Sequence, residues 1–362
     1  MSSKENQNFI KIKEWYENKS GNPWPQITIP TPTPKSWGID ISDNELTFKM
    51  TREAACSNMQ TYEAAFESWL VFFVKLGVDN VCFQWEPIDR ATLKKMLDKK
   101  DINAKNDLRK KALHYNRFLY RVLKFNEVFG QEGSWFHIEE TCLKALNDSE
   151  FIQDYREGKL FYVNRPSADR KSNVDEDSSI ISELDMTGSE AEYEKKFLEK
   201  WIKSGKCEIV DRQLPVGLFK DEVLNDDTRV FPGGKGAIDL WTINRHNEAL
   251  NIFELKCPGI KQIGIFSELF FYSMFMLDII NKKFVDGKSS KNSSGFFESN
   301  LVNRNPSEIC AHYLVTIMHP ALVICELGTE NDMVNEAMRL NGIPVSFKLT
   351  KYSFDVTAKV FE

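Results

Sequence analysis

The chain has 362 residues, of which 42% are hydrophobic and 28% charged, and its formal net charge is −6. This balance is typical of globular proteins with a buried core, and it excludes collagen-like, fully disordered and small disulfide-scaffold proteins. The seven cysteines are scattered singly, so neither a disulfide framework nor a zinc site is indicated. At about 100–200 residues per domain, the length predicts two domains.

Nothing in the sequence resembles a membrane span or an export signal. The longest unbroken apolar run, residues 69–74, is far shorter than the roughly 20 residues of a membrane-spanning helix. The N-terminal segment is polar and lacks the apolar core of a signal peptide. We therefore expect a cytoplasmic protein without membrane contact, because reducing conditions suit unpaired cysteines.

The first half of the chain is predicted to be mainly helical with some strand. Five prolines in residues 18–36 favour an extended arm, because proline fixes its own φ and restricts the residue before it. Apolar spacing then predicts a helix over 54–76, a strand over 78–85 and a helix over 107–129. We expect these elements to form an α+β N-terminal domain of unknown family, residues 1–164, with a recognition or regulatory role.

Basic residues are concentrated in this half. Residues 94–124 hold eleven Lys and Arg against three Asp. Four of the basic residues follow one face of the helix predicted at 107–129, namely Lys110, Arg117, Arg121 and Lys124. Basic helix faces are most often simply solvated, but a nucleic acid would be expected to contact the protein here if it binds one.

A polar stretch separates the two halves. Residues 165–188 are rich in Ser, Asp and Glu and lack aromatic residues, which predicts an interdomain linker. Beyond it, residues 189–362 alternate between helical and strand patterns, which indicates the α/β class. Helices are predicted at 189–204, 262–282 and 331–341, and strands at 207–213, 237–243, 249–256, 310–317, 321–327 and 343–349.

Two adjacent strands of this second domain each carry a carboxylate among apolar residues. In GAIDLWTIN, strand alternation puts Asp239 on one face and its neighbours Ile238 and Leu240 on the other. In ALNIFELK, Glu254 and Lys256 share a face. Buried like charges persist only when something neutralises them, and a divalent cation would do so. A salt pair at a strand end would explain Glu254 and Lys256 alone, but it leaves Asp239 unexplained.

The order and spacing of these residues resemble a known family. Glu194 on a helix, Asp239 in GAIDLW, and Glu254 with Lys256 in FELK are similar to the motifs of the PD-(D/E)XK nuclease superfamily. The resemblance covers about residues 189–349, and an isoleucine stands where the family pattern has proline before the Asp. It implies a restriction-endonuclease-like, three-layer core with a mixed central sheet.

The resemblance also implies metal-dependent hydrolysis of phosphodiester bonds. Four groups would bind Mg²⁺, or Mn²⁺ in its place: the carboxylates of Asp239, Glu254 and Glu194 and the backbone carbonyl of Leu255. Lys256 would orient or help to deprotonate the attacking water and would offset phosphate charge. The expected catalytic residues are therefore Asp239, Glu254, Lys256 and Glu194.

The helix predicted at 189–204 offers two candidates for the helix acid. Glu194 lies one turn before the apolar residues Phe197 and Leu198 of the predicted helix 189–204, which directs it towards the sheet. Glu190 is its nearest rival, although an acid in the first turn of a helix is also explained by the helix dipole.

Three further residues are candidates for support. Glu268 and Tyr272 lie four residues apart in the apolar helix 262–282, and some branches of the superfamily carry a Gln and a Tyr at this spacing. Lys235 in FPGGKG precedes the strand of Asp239, and glycines there would let the backbone approach a phosphate closely. A simple surface turn also explains that segment.

These features predict a Mg²⁺-dependent DNA endonuclease, of the restriction or phage-defence kind by the habits of the superfamily. Two other functions stay open. One is a nuclease directed to RNA, or triggered by a small ligand or partner protein at the N-terminal domain. The other is a nucleic-acid-binding protein with an inactive nuclease fold. Restriction-like enzymes often dimerise to cut both strands, so a homodimer is compatible with the prediction.

Overall fold

A computed structural model describes residues 7–30, 35–98, 108–164, 188–232, 236–244, 248–288 and 296–353. The chain divides into two compact units. The first extends to residue 158 and takes in 230–232 and 320–325, and the second comprises 159–229, 233–319 and the residues from 326 onward. The linker predicted at 165–188 lies, apart from Gly188, outside the described residues, so the domain boundaries stay a prediction.

Helices and strands occur in both units of the described residues. The helices are α1 (Gln7–Ser20), α2 (Arg52–Ala55), α3 (Phe66–Lys75), α4 (Arg90–Leu97), α5 (Leu108–Phe129), α6 (Glu140–Asn147), α7 (Glu150–Arg156), α8 (Glu190–Ser204), α9 (Ile265–Ile280), α10 (Pro320–Ile324) and α11 (Met333–Leu340), with a π-helix at Glu298–Val302. The strands are β1 (Trp37–Ser42), β2 (Glu45–Met50), β3 (Asn80–Trp85), β4 (Phe136–Ile138), β5 (Phe161–Val163), β6 (Cys207–Pro215), β7 (Leu218–Phe219), β8 (Ala237–Asn244), β9 (Leu250–Leu255), β10 (Phe284–Asp286), β11 (Ile309–Val315) and β12 (Val345–Lys351).

The first unit contains a four-stranded sheet in the order β1, β2, β3, β4. Strand β1 is antiparallel to β2, and the remaining pairs are parallel. The helix predicted over 54–76 is instead two helices, α2 and α3. The connection between them turns at Asn58, where Thr61 N–H donates to the Asn58 carbonyl, and again at Ala64, whose N–H donates to the Thr61 carbonyl.

Two other expectations, one for a segment predicted in the second domain that belongs to the first unit, need correction. Residues 321–327 were expected to form a strand because ALVIC is an apolar run, yet the chain forms helix α10 there. Pro320 at its first position presets a helical φ, and a run of this length does not distinguish the two structures. The proline-rich arm expected at 18–36 also contributes to the core, because Ile27 and Ile29 are buried.

The second unit contains a five-stranded sheet in the order β12, β11, β9, β8, β6. Strand β11 is parallel to both β12 and β9, whereas β8 is antiparallel to β9 and to β6, so the sheet is mixed. Helix α8 packs on the face that carries Leu314. On the other face, Phe266 of α9 contacts Phe347, which stacks on Tyr313. The α/β class is therefore confirmed, with helices on both faces of this sheet.

A smaller sheet in the order β10, β5, β7 belongs to the same unit. It was not predicted, because its strands are only two or three residues long and leave no periodic pattern. Within the ranges that the structure describes, no helix has the length and apolar character needed to cross a membrane. The seven cysteines all fall in these ranges, and each is a free thiol.

Buried polar side chains form a chain of contacts across the five-stranded sheet. His312 on β11 contacts Thr350 Oγ1 on β12 through Nδ1 at 2.9 Å and Asn251 Oδ1 on β9 through Nε2 at 3.2 Å. Asn251 in turn donates to Thr242 Oγ1 on β8 at 3.2 Å. The imidazole stacks on Phe253 with 4.4 Å between ring centroids. Satisfied polar networks of this kind help to specify one arrangement of a core.

This network makes the stability of the second unit sensitive to acid. Burial lowers the pKa of His312 from 6.5 to about 3, and Lys348 acts in the same direction. Below about pH 6.5 the unfolded chain therefore binds a proton that the folded chain does not. From pH 7 to pH 5 we expect His312 to lower the free energy of unfolding by about 2 kcal/mol.

Chemical denaturation at the two pH values would measure this effect. In the wild type, the free energy of unfolding at pH 7 should exceed that at pH 5, and in a His312→Gln variant this difference should be smaller by about 2 kcal/mol. The variant His137→Gln, at an exposed position, should behave like the wild type. If the difference between the two pH values were as large in His312→Gln as in the wild type, His312 would not be the source of the acid sensitivity.

Candidate active site

Strands β8 and β9 bring two carboxylates side by side. Their antiparallel pairing ends at Leu240 and Phe253. The next residues are Asp239 and Glu254, which continue the same register and share the opposite face of the sheet. Where another ladder bond would form, the Leu255 N–H instead donates to Asp239 Oδ2 at 2.8 Å. Both carboxylates are buried, so the end of this strand pair presents two acids away from solvent.

Lys256, directly after β9, is the centre of an ion-pair cluster. Its Nζ contacts Glu254 Oε1 and lies 3.3 Å from Glu268 Oε2 on α9 and 3.9 Å from Glu190 Oε1 on α8. The Lys256 carbonyl accepts a hydrogen bond from the Tyr352 hydroxyl at 2.7 Å. The lysine is buried and is held through both its side chain and its backbone.

Helix α8 has a defined start and a single apolar face. A capping box between Ser189 and Glu192 begins it, which explains one of the acids in its first turn. Phe197 and Trp201 pack against the sheet in a buried cluster. Ile202, the next residue along the helix, is 42% exposed. Because Phe197 packs against the sheet, the side chains one turn before it are also directed towards the sheet.

Glu194 is one of those residues, and it is buried. Its Oε2 lies 3.3 Å from Arg212 Nη1, and its Oε1 accepts a hydrogen bond from Gln213 Nε2 at 2.8 Å. The same Gln213 nitrogen lies 3.5 Å from Asp239 Oδ1. Gln213 therefore connects Glu194 to Asp239, whereas the rival acid Glu190 approaches Lys256.

Burial controls the electrostatics of this cluster. It raises the pKa of Asp239 well above the usual value, and nearby Glu190 and Glu194 act in the same direction. The pKa of Glu254 is raised well above its usual value by burial and then by Asp239. Burial alone would lower the pKa of Lys256, but the neighbouring carboxylates, Glu254 foremost, raise it well above its usual value. Among the described residues, the acids of this cluster outnumber the cations that pair with them.

The donor chemistry of the strand acids suits a hard cation. Glu254 Oε2 is buried and accepts no hydrogen bond from the residues that the structure describes. Carboxylate oxygens of this kind are the ligands that Mg²⁺ and Mn²⁺ take in proteins. In the described ranges, no three His, Cys, Asp or Glu side chains are already gathered as a metal-binding group. The ligand set of Asp239, Glu254, Glu194 and the Leu255 carbonyl therefore stays a prediction.

The supporting candidates have different surroundings. Glu268 is buried in α9 and contacts Lys256, so the structure brings it into the cluster. Tyr272, one turn further along α9, is also buried, with its ring centroid 5.6 Å from that of Phe271. Lys235 lies outside the described residues.

The basic face of α5 is not the solvent-exposed stripe that its sequence suggested. Arg117, Arg121 and Lys124 are buried, and only Lys110 among the four is exposed. Arg121 pairs with Glu67, and Lys124 donates to the Tyr155 hydroxyl at 2.7 Å. Three of the four proposed nucleic-acid contacts are therefore internal to the first unit, because α5 is covered on this face as well.

Two residues of the site were missed from the sequence. Arg212 and Gln213 were placed in a strand, but nothing in DRQLP indicated a contact with Glu194. Their role depends on the pairing of β6 with β8, which puts Arg212 opposite Leu240. Only the register of the sheet, which a single sequence does not reveal, identifies them.

Known proteins provide no assignment. No protein-family model matches the sequence, and no curated protein or solved structure matches it.

Proposed function

We propose that the second unit is a metal-dependent nuclease that hydrolyses phosphodiester bonds, with DNA as the favoured substrate. The observation that carries this proposal is the juxtaposition of Asp239 and Glu254 at the end of a strand pair, beside the buried Lys256. Structural ion pairs rarely gather several buried acids around one lysine, because each uncompensated charge is costly. A mixed sheet with helices on both faces supports the restriction-endonuclease-like fold that the motifs imply.

In this proposal each side chain has a distinct task. Asp239, Glu254, Glu194 and the Leu255 carbonyl hold Mg²⁺, or Mn²⁺ in its place. The bound cation supplies charge stabilisation for the phosphate and a more acidic water. Asp239 is oriented by the Leu255 N–H at 2.8 Å, which fixes one of its oxygens. Lys256 offsets phosphate charge and orients the attacking water. Glu268 and Glu190 hold the ammonium group of Lys256 in place.

The proposed biological setting is based on the functions that are common in the superfamily. A restriction or phage-defence enzyme of the cytoplasm, acting as a homodimer to cut both strands, is the corresponding proposal. The first unit would recognise the target, a partner protein or a small ligand. The internal position of Arg117, Arg121 and Lys124 removes them as phosphate contacts from this part of the proposal.

A second candidate is a nucleic-acid-binding protein with an inactive nuclease fold. It is favoured by one observation, that Lys256 already pairs with both Glu254 and Glu268, as in a structural ion-pair cluster. In that case Lys256 would serve only to neutralise Glu254 and Glu268. The two candidates differ in cation binding: the nuclease would bind a divalent cation through Asp239, whereas the inactive fold would bind none.

The test combines cleavage with metal binding. Plasmid, single-stranded DNA and RNA are incubated with Mg²⁺ or Mn²⁺, and with EDTA as control. We expect metal-dependent cleavage that falls by at least about 10²-fold in Asp239→Asn and is unchanged in Glu330→Gln, at an exposed position. Cleavage of RNA alone would change the substrate class.

Other outcomes distinguish the remaining candidates. Cleavage that persists in EDTA or in Asp239→Asn would contradict the proposal. If the wild type does not cleave, Mn²⁺ binding that disappears in Asp239→Asn would indicate a nuclease that needs a trigger. Absence of both cleavage and Mn²⁺ binding would establish the inactive fold.

A further inference from the structure

Gln213, in β6, has an unusual backbone conformation and contacts two acids of the candidate site. Its φ is 55°, in the left-handed region that residues other than glycine seldom adopt. The residues on either side stay in register, with Arg212 opposite Leu240 and Leu214 opposite Ile238. Gln213 therefore lies opposite Asp239 across β6 and β8. Strained backbone of this kind persists where the surrounding structure imposes it, and it is frequent at functional sites.

The side chain of Gln213 connects two acids that come from different elements. Nε2 donates to Glu194 Oε1 on α8 at 2.8 Å and lies 3.5 Å from Asp239 Oδ1 on β8. The other oxygen of Asp239 already accepts the Leu255 N–H at 2.8 Å. Both oxygens of the Asp239 carboxylate are thus approached by N–H groups from opposite sides, which defines its orientation.

The chemistry of an amide suits this place. Arg212 already pairs with Glu194, and a second cationic side chain at position 213 would neutralise the acids further and compete with a cation, whereas another carboxylate would repel them. An amide donates hydrogen bonds to both acids and leaves their charge intact. Groups that orient metal ligands without touching the metal contribute substantially to metal affinity.

We infer that Gln213 is a positioning residue that sets the separation of Glu194 and Asp239 for a divalent cation. The inference rests on the proposed function and extends it to a residue outside the superfamily motifs. The left-handed backbone conformation accompanies the placement of the amide between the helix acid and the strand acid. Loss of the amide retains both acids but removes the contact that sets their separation.

The experiment measures Mn²⁺ affinity of the full chain by calorimetric titration, together with its melting temperature. Glycine adopts a φ of 55° without strain, so Gln213→Gly should melt at the same temperature as the wild type or higher. Its dissociation constant for Mn²⁺ should nevertheless rise by about 10 to 100-fold. Gln213→Asn tolerates the same backbone but is one methylene shorter, so it should lose affinity similarly.

Glu248→Gly is the matched control. Glu248 also has a positive φ, of 50°, and is exposed in the turn between β8 and β9. We expect this variant to bind Mn²⁺ like the wild type. If Gln213→Gly also retains wild-type affinity, Gln213 has only a structural role in β6 and the inference is overturned, while the proposed nuclease stands. If the wild type itself binds no Mn²⁺, the proposed function fails and the inference fails with it.

Discussion

A Lys256→Met variant is expected to lose metal-dependent cleavage by about 10²–10⁴-fold. Methionine retains an unbranched stem but removes the ammonium group that would offset phosphate charge and orient water. The substitution also leaves Glu254 and Glu268 buried without their cation, which costs stability. Loss of activity in this variant alone would therefore not separate a catalytic effect from unfolding.

The double variant Lys256→Met/Glu268→Gln separates the two effects. It removes one positive and one negative charge, so the balance of the buried cluster is restored and the melting temperature should recover towards that of the wild type. Cleavage should stay as low as in Lys256→Met. Glu268→Gln alone, which retains the ammonium group, should retain most of the cleavage. A double variant that cleaves within about tenfold of the wild type would show that Lys256 has no part in the reaction.

The second large effect is expected in the first unit. Arg121 donates from Nε to Glu67 Oε1 at 2.7 Å, pairs with the other Glu67 oxygen, and donates to the Ala64 carbonyl at 2.9 Å. Both charged side chains are buried. Arg121→Met leaves the Glu67 carboxylate buried without a partner and should lower the free energy of unfolding by about 3–5 kcal/mol.

Two further variants make this prediction specific. Arg121→Met/Glu67→Met replaces the whole ion pair by apolar side chains and should be less destabilised than Arg121→Met. Arg90→Met breaks an ion pair with Glu150 in which both side chains are more than half exposed, and it should cost no more than about 1 kcal/mol. Urea denaturation measures all three. If Arg121→Met weakened DNA binding without changing stability, a surface role for Arg121 would be restored.

The acids of the site could be anticipated because a strand has a period of two. Alternation in GAIDLW and FELK put Asp239 and Glu254 on buried faces, and the short connection between their strands made antiparallel pairing the simplest arrangement. The structure places them next to each other beyond the last paired residues of β8 and β9. Local periodicity was sufficient here because each strand contributes one residue at a defined position.

The burial of α5 could not be anticipated in the same way. Periodicity shows which residues share a face of a helix, but it does not show how many faces are covered. Glu67, the partner of Arg121, lies 54 residues earlier in the chain, in a different helix. Gln213 was missed for a related reason, because neither its left-handed backbone nor its position opposite Asp239 follows from residue type.

The hydrogen bond between the Leu255 amide and Asp239 Oδ2 has a spectroscopic consequence. The chemical shift of an amide proton responds to the charge and distance of its acceptor, so this one amide resonance reports on the Asp239 carboxylate. A diamagnetic cation such as Mg²⁺ that engages Asp239 would change that resonance at once. Leu255 thus offers a built-in probe of the site that needs no substrate and no turnover.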